Sequence, residues 1–175
     1  MGHTIWYRAN ALFTFSATSL AIIAILASYT DNFHVSNPSI TLAVKQIERF
    51  RRVGTNDEIN LVFSLHADLR ECFSWNTKLL FVSLDAAYET ERNERNVISL
   101  WDQIVTEKES GVLKFEQLRN KYRFVDQGLH LRGANVNFTV RWEVMPVAGK
   151  LHGNERLSAH MKLPTHYIDD GDPYR

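Results

Sequence analysis

Apolar residues follow two rhythms along this chain. Residues 9–30 read ANALFTFSATSLAIIAILASYT and include no charged side chain. Later segments alternate instead. Val136, Phe138, Val140, Trp142 and Val144 fall on one face, and Asn137, Thr139, Arg141 and Glu143 on the other. That period of two marks a half-buried strand. Ile59, Leu61, Phe63, Leu65, Ala67 and Leu69 repeat the pattern, interrupted by Val62. Leu80, Val82, Leu84, Ala86 and Tyr88 alternate with Phe81, Ser83, Asp85 and Ala87. Asn96–Val105 is a mostly apolar run rich in β-branched and aromatic residues, and 40–50 and 156–163 are further strand candidates. Only 112–120 (VLKFEQLRN) reads as helical, with Leu113, Phe115 and Leu118 poorly periodic. Turn chemistry separates the segments at 53–57, 92–96, 110–111, 127–128 and 133–135. Short alternating strands between such breaks predict an antiparallel β-sandwich-like domain, so the fold class is mainly β after one N-terminal helix.

The uncharged stretch is long enough to matter. As a helix rising ~1.5 Å per residue it reaches ~33 Å, enough for a ~30 Å hydrocarbon core. Its purely apolar part, Leu20–Ala27, is short enough for a cleaved signal peptide. A cut after Ala27 or Ser28 would place Ile25 or Leu26 at the −3 position, where a small residue belongs. The stretch is therefore read as an uncleaved anchor. Ala17, Ala21, Ala24 and Ser28 align on one side, a stripe that lets another helix approach closely. His3 and Arg8 precede the span; Asp31 follows it, and Lys45 is the next basic residue. Positive charge stays cytosolic, which puts the amino terminus in the cytosol and the large domain in the lumen.

The expected organisation is a cytosolic tail (1–8), a transmembrane helix (9–30), a linker (31–39), a lumenal β-domain (40–168) and a C-terminal tail (169–175). About 145 residues beyond the span suffice for one core without staples. Cys72 is the lone cysteine of 175 residues, so it makes no internal disulfide. Its setting, LRECFSW, reads as a strand end and a buried or half-buried thiol. Lys and Arg number 20, as do Asp and Glu, which gives no reason to expect nucleic acid as a partner. Arg49, Arg51 and Arg52 read as the outward face of a strand.

Candidate chemistry is sparse. The chain has no GxSxG, CxxC, HExxH or glycine-rich phosphate loop. His34, His66, His130, His152, His160 and His166 follow no metal-site spacing. Asp169, Asp170 and Asp172 lack the ligand spacing of a calcium loop and read as a solvated tail. No catalytic residue, metal, cofactor or small-molecule ligand is expected. Asn137-Phe138-Thr139 is an acceptor triplet for N-glycosylation, and Asn137 falls on the polar side of its strand. Asn37-Pro38-Ser39 fails, because proline occupies the middle position.

Longer phrases carry a resemblance. RANALFTFSA (8–17), FSWNTKLLFVSLDAAYET (73–90), NVISLWDQIV (96–105) and KYRFVDQGLHLRGANVNFTVRWEVMPVAGKL (121–151) stand in the order and spacing of one family. With Trp75, Trp101 and Trp142 among them, they resemble the small glycoprotein subunit, subunit 3, of the eukaryotic signal peptidase complex. The likeness runs from about Arg8 to Tyr167. It implies a single-pass type II protein of the endoplasmic reticulum membrane with a glycan at Asn137. It implies as partners a separate catalytic serine protease subunit and the other small membrane subunits. The implied role is non-catalytic support of signal-peptide cleavage. Two rivals stand beside it: a secreted β-sandwich binding domain with a cleaved signal peptide, and a small type II lumenal enzyme.

Overall fold

A computed structural model describes residues 4–31, 33, 34, 36–91 and 93–169. The first element is α1 (Ile5–Asp31), somewhat longer than the uncharged stretch. It is apolar on all sides, and its most apolar window is 0% buried. Leu12, Phe13, Ile25 and Leu26 all stand exposed. A helix that is hydrophobic all round has no solvated face, so it calls for a surrounding that is not water. Two of its hydroxyls bond within the helix: Thr18 donates to the Thr14 carbonyl at 2.8 Å and Thr30 to that of Ala27 at 2.9 Å.

The rest is a two-layer antiparallel sandwich. Its strands are β1 (Ser39–Val53), β2 (Asn56–Asp68), β3 (Thr77–Tyr88), β4 (Asn96–Val105), β5 (Val112–Arg119), β6 (Phe124–Val125), β7 (Asn135–Pro146), β8 (His152–Lys162) and β9 (Ile168–Asp169). Among the described residues one sheet runs β5-β2-β1-β9, with β6 also on β2, and the other runs β4-β3-β7-β8. The alternation decides the layers. Ile59, Leu61, Phe63, Leu65 and Ala67 of β2 face Leu80, Val82, Leu84 and Ala86 of β3 and Val136, Phe138, Val140, Trp142 and Val144 of β7, all buried. Phe63 and Phe138 meet edge to face across the layers, centroids 5.2 Å apart. Gly54 (φ +64) takes the first central position of the two-residue β1–β2 hairpin, as a type II′ turn requires.

Three expectations need correction. Residues 112–119 form a strand, not a helix. Leu113, Phe115 and Leu118 look aperiodic because a register shift opposite Phe63–Leu65 adds a residue between Phe115 and Leu118. Ser83 and Asp85 alternate with the core positions of a strand expected to be half-buried, yet they are 5% and 6% exposed. Central strand β3 is flanked by β4 and β7, whose side chains cover them. Arg49 and Arg51 do lie on the face opposite buried Phe50. Arg52 falls on Phe50's side at the strand end, where its Nε donates to the Gly54 carbonyl at 2.8 Å. Cys72 is buried as expected, and that burial pushes its thiol pKa up. Of the acidic tail, Asp169 pairs with Arg49 in the β1–β9 ladder. Asp170 and Asp172 lie outside the described residues.

Candidate functional site

The sandwich has two distinct ends. Near α1 lie the start of β1, the end of β2, the start of β3 and the turn from β7 to β8. His34 Nε2 sits 2.7 Å from the Glu71 carbonyl, and Gly149 abuts Ser28 of the helix. The far end holds the β1–β2 hairpin, the end of β3 and the segment 124–134.

Two buried carboxylates organise the far end. Asp57, 0% exposed, accepts from the Leu131 amide (3.2 Å) and the Tyr167 hydroxyl (2.9 Å). Its backbone bonds Gly128 and Asp126. Asp126, 4% exposed, accepts from the Tyr88 hydroxyl at 2.8 Å and from His130 through both Nδ1 (2.7 Å) and the amide (3.2 Å). Burial works to raise the Asp126 pKa, but the bonds from Tyr88 and His130 outweigh it and hold the carboxyl below its ordinary value. Burial first, and then the bond to Asp126, push the Tyr88 hydroxyl up. Asp57 and Asp126 act as fixed acceptors for a chain segment that would otherwise leave amides unpaired. Sequence reading placed Asp57 in a turn and missed its role, because its side-chain partners lie 74 and 110 residues away.

Groups that resemble catalytic pairs are separated by the fold. Ser99 on β4 donates to Asp85 Oδ1 at 2.6 Å, and Arg141 lies 3.8 Å from the same carboxylate. His66 is on the other sheet, 2.8 Å from Glu116. A serine bonded directly to a carboxylate lacks the imidazole that takes and returns its proton in acyl transfer. Among the described residues no three His, Cys, Asp or Glu side chains are placed to hold a metal ion.

Asn137 is exposed on the outer face of β7, toward the far end. His160 Nδ1 of neighbouring β8 lies 2.8 Å from its Oδ1. Thr139, two residues on, is half-buried on the same face. The stripe of α1 meets its own chain at Ser28: a Cβ on Gly149 would come within 2.6 Å of the Ser28 Oγ.

Residues 2–166 match the signal peptidase subunit family SPC22. The chain is similar to signal peptidase complex subunit 3 of Gallus gallus, 34% identical over 93% of each chain. It is 35% identical to the Homo sapiens protein of that name over 85% of this chain and 87% of that one. With the Dictyostelium discoideum protein of that name identity is 28% over 96% and 98%.

Proposed function

This chain belongs to the signal peptidase subunit family, and from that premise we propose that it is a non-catalytic accessory subunit of the signal peptidase complex. It supports the catalytic serine protease subunit in cutting signal peptides from proteins translocated into the endoplasmic reticulum. Residues 1–8 are cytosolic, residues 9–30 of α1 form a type II signal-anchor, and the sandwich is lumenal and carries a glycan on Asn137. The observation that carries the reading is an apolar helix whose most apolar window holds no buried residue, joined to a closed sandwich, within a chain matching this family over residues 2–166. The exposure of Asn137 at the end away from the helix supports the glycan.

The physical role follows from what a serine protease needs. Its nucleophile, base and oxyanion donors must be held rigidly, because small displacements cost large factors in rate. A two-layer sandwich tethered by a short segment after Asp31 supplies a stiff body at a set height above the bilayer. Its buried carboxylates serve that stiffness and perform no reaction.

The test is translation of the intact chain into microsomes, followed by alkaline extraction, endoglycosidase H treatment and affinity capture through a C-terminal tag. The product keeps Met1–Arg8, stays in the membrane pellet, loses one glycan and brings down the catalytic subunit. A product trimmed near Ala27 and released at alkaline pH would instead be a secreted protein, and the proposal would fail.

A further inference from the structure

The sandwich end beside α1 holds apolar side chains that the fold leaves outside. Trp75 and Val147 are each 72% exposed. A single exposed apolar residue is ordinary. These two differ because their backbones are pinned. Trp75 lies in the turn entering β3 and Val147 just after β7, where Thr77 and Pro146 are register partners. Buried Asn76 clamps the two loops: its Nδ2 donates to the Ala148 carbonyl at 2.8 Å, and its Oδ1 accepts from the Ala148 amide at 3.1 Å. The Val147 amide donates to the Asn76 carbonyl at 2.7 Å. The Ser74 amide donates to Thr77 Oγ1 at 2.9 Å, and the Asn76 amide to Ser74 Oγ at 3.2 Å. A loop so bonded does not fold Trp75 back onto the core; it holds the indole out.

Position gives the meaning. Gly149, two residues past Val147, packs on Ser28 in the last turns of α1. The helix holds 27 residues, so at ~1.5 Å per residue it runs ~40 Å and its ends pass beyond a ~30 Å hydrocarbon core into the headgroup region. Loops that touch Ser28 sit at that depth. Tyr29 and Phe33, 63% and 69% exposed, stack edge to face at the same level. Tryptophan and tyrosine favour that zone, where an apolar ring meets lipid and its polar edge meets water. Exposed Lys78 and Lys150 flank the loops, and lysine stems are long enough to carry their charge to the headgroup level.

We propose that Trp75 and Val147, on the loops clamped by Asn76, form a rigid tip that enters the lipid interface and sets the height and tilt of the sandwich. This rests on the reading of α1 as an uncleaved anchor. The test uses the full chain assembled in its complex in phosphatidylcholine nanodiscs. Trp75→Cys, Val147→Cys and, at the far hairpin, Thr55→Cys are each labelled with an environment-sensitive fluorophore; native Cys72 is 1% exposed and shielded from label. Doxyl-bearing lipids should quench the labels at 75 and 147 with loss of emission, and aqueous iodide should not. At 55 the two quenchers should exchange roles. Asn76→Ala should weaken the lipid quenching at 75. Labels at 75 and 147 reached by iodide would overturn the tip. Labels shielded from both quenchers would give the site to a neighbouring subunit and overturn it equally. A chain found trimmed before Phe33 would take down the anchor reading, and the tip with it.

Discussion

At the end of the sandwich away from the helix, Tyr88, Phe124 and Tyr167 turn inward over two buried carboxylates. At the end beside the helix, Trp75 and Val147 stand outward on loops that are just as firmly bonded. Both ends are ordered, so order alone does not decide which aromatic rings are buried. The polar partners do. Asp57 and Asp126 gather amides and hydroxyls from distant segments and close the far end against water. Asn76 makes the same kind of bonds at the near end but ties two loops to each other, leaving their apolar side chains unclaimed. A fold facing water at both ends has no reason to treat them so differently; one whose near end faces lipid does.

The comparison breaks first at Phe124, which is 0% exposed and packs on Tyr88. Phe124→Ala should cost about 3–5 kcal/mol of unfolding free energy, read by denaturant titration of the full chain in micelles. A cost under about 1 kcal/mol would mean that the far end is not part of the core. Asp57→Ala comes next, at roughly 3 kcal/mol, because it strands the buried Leu131 amide and takes its acceptor from the half-buried Tyr167 hydroxyl. Phe at 167 in that background should recover part of the loss.

Alkaline pH gives a smaller effect. The Tyr88 pKa is raised above the ordinary 10.0 in the folded chain. Its contribution is therefore complete below the unfolded value and declines as pH rises through the range between the two. Tyr167 is raised too, by burial and then by Asp57, with the same sign. The unfolding midpoint should fall above about pH 10, and Tyr88→Phe should reduce that slope. An unchanged slope in Tyr88→Phe would remove Tyr88 from the account. Smallest of all, Trp75→Ala should shift stability by no more than about 0.5 kcal/mol. A loss as large as that of Phe124→Ala would make Trp75 a packing residue and erase the contrast between the ends.

How much of this was legible depended on distance along the chain. Strands β2, β3 and β7 announce themselves because each turns one apolar face into the core, and a period of two survives in Ile59–Leu69, Leu80–Tyr88 and Val136–Val144. The strand at Val112–Arg119 did not, since one extra residue before Leu118 breaks the period. Ser83 and Asp85 look outward on their own strand, and the neighbours that cover them include Ser99, 14 residues from Asp85. Asp57, Asp126 and Asn76 are ordinary turn residues by local rules. Their roles come from contacts that appear only when the ends of the fold assemble. The acceptor triplet at Asn137 is local, so sequence could propose it as a site.

On the function proposed above, this chain is required for signal-peptide cleavage without performing it. The direct measurement is cleavage of a secretory precursor by membranes depleted of this chain and supplied with variants. Full-length chain and Ser99→Ala or His66→Ala should restore cleavage alike, and a chain lacking residues 40–175 should not. Cleavage that persists with the truncated chain would contradict the supporting role. Cleavage lost with Ser99→Ala or His66→Ala, while the complex stays assembled, would place chemistry in this chain and contradict the account.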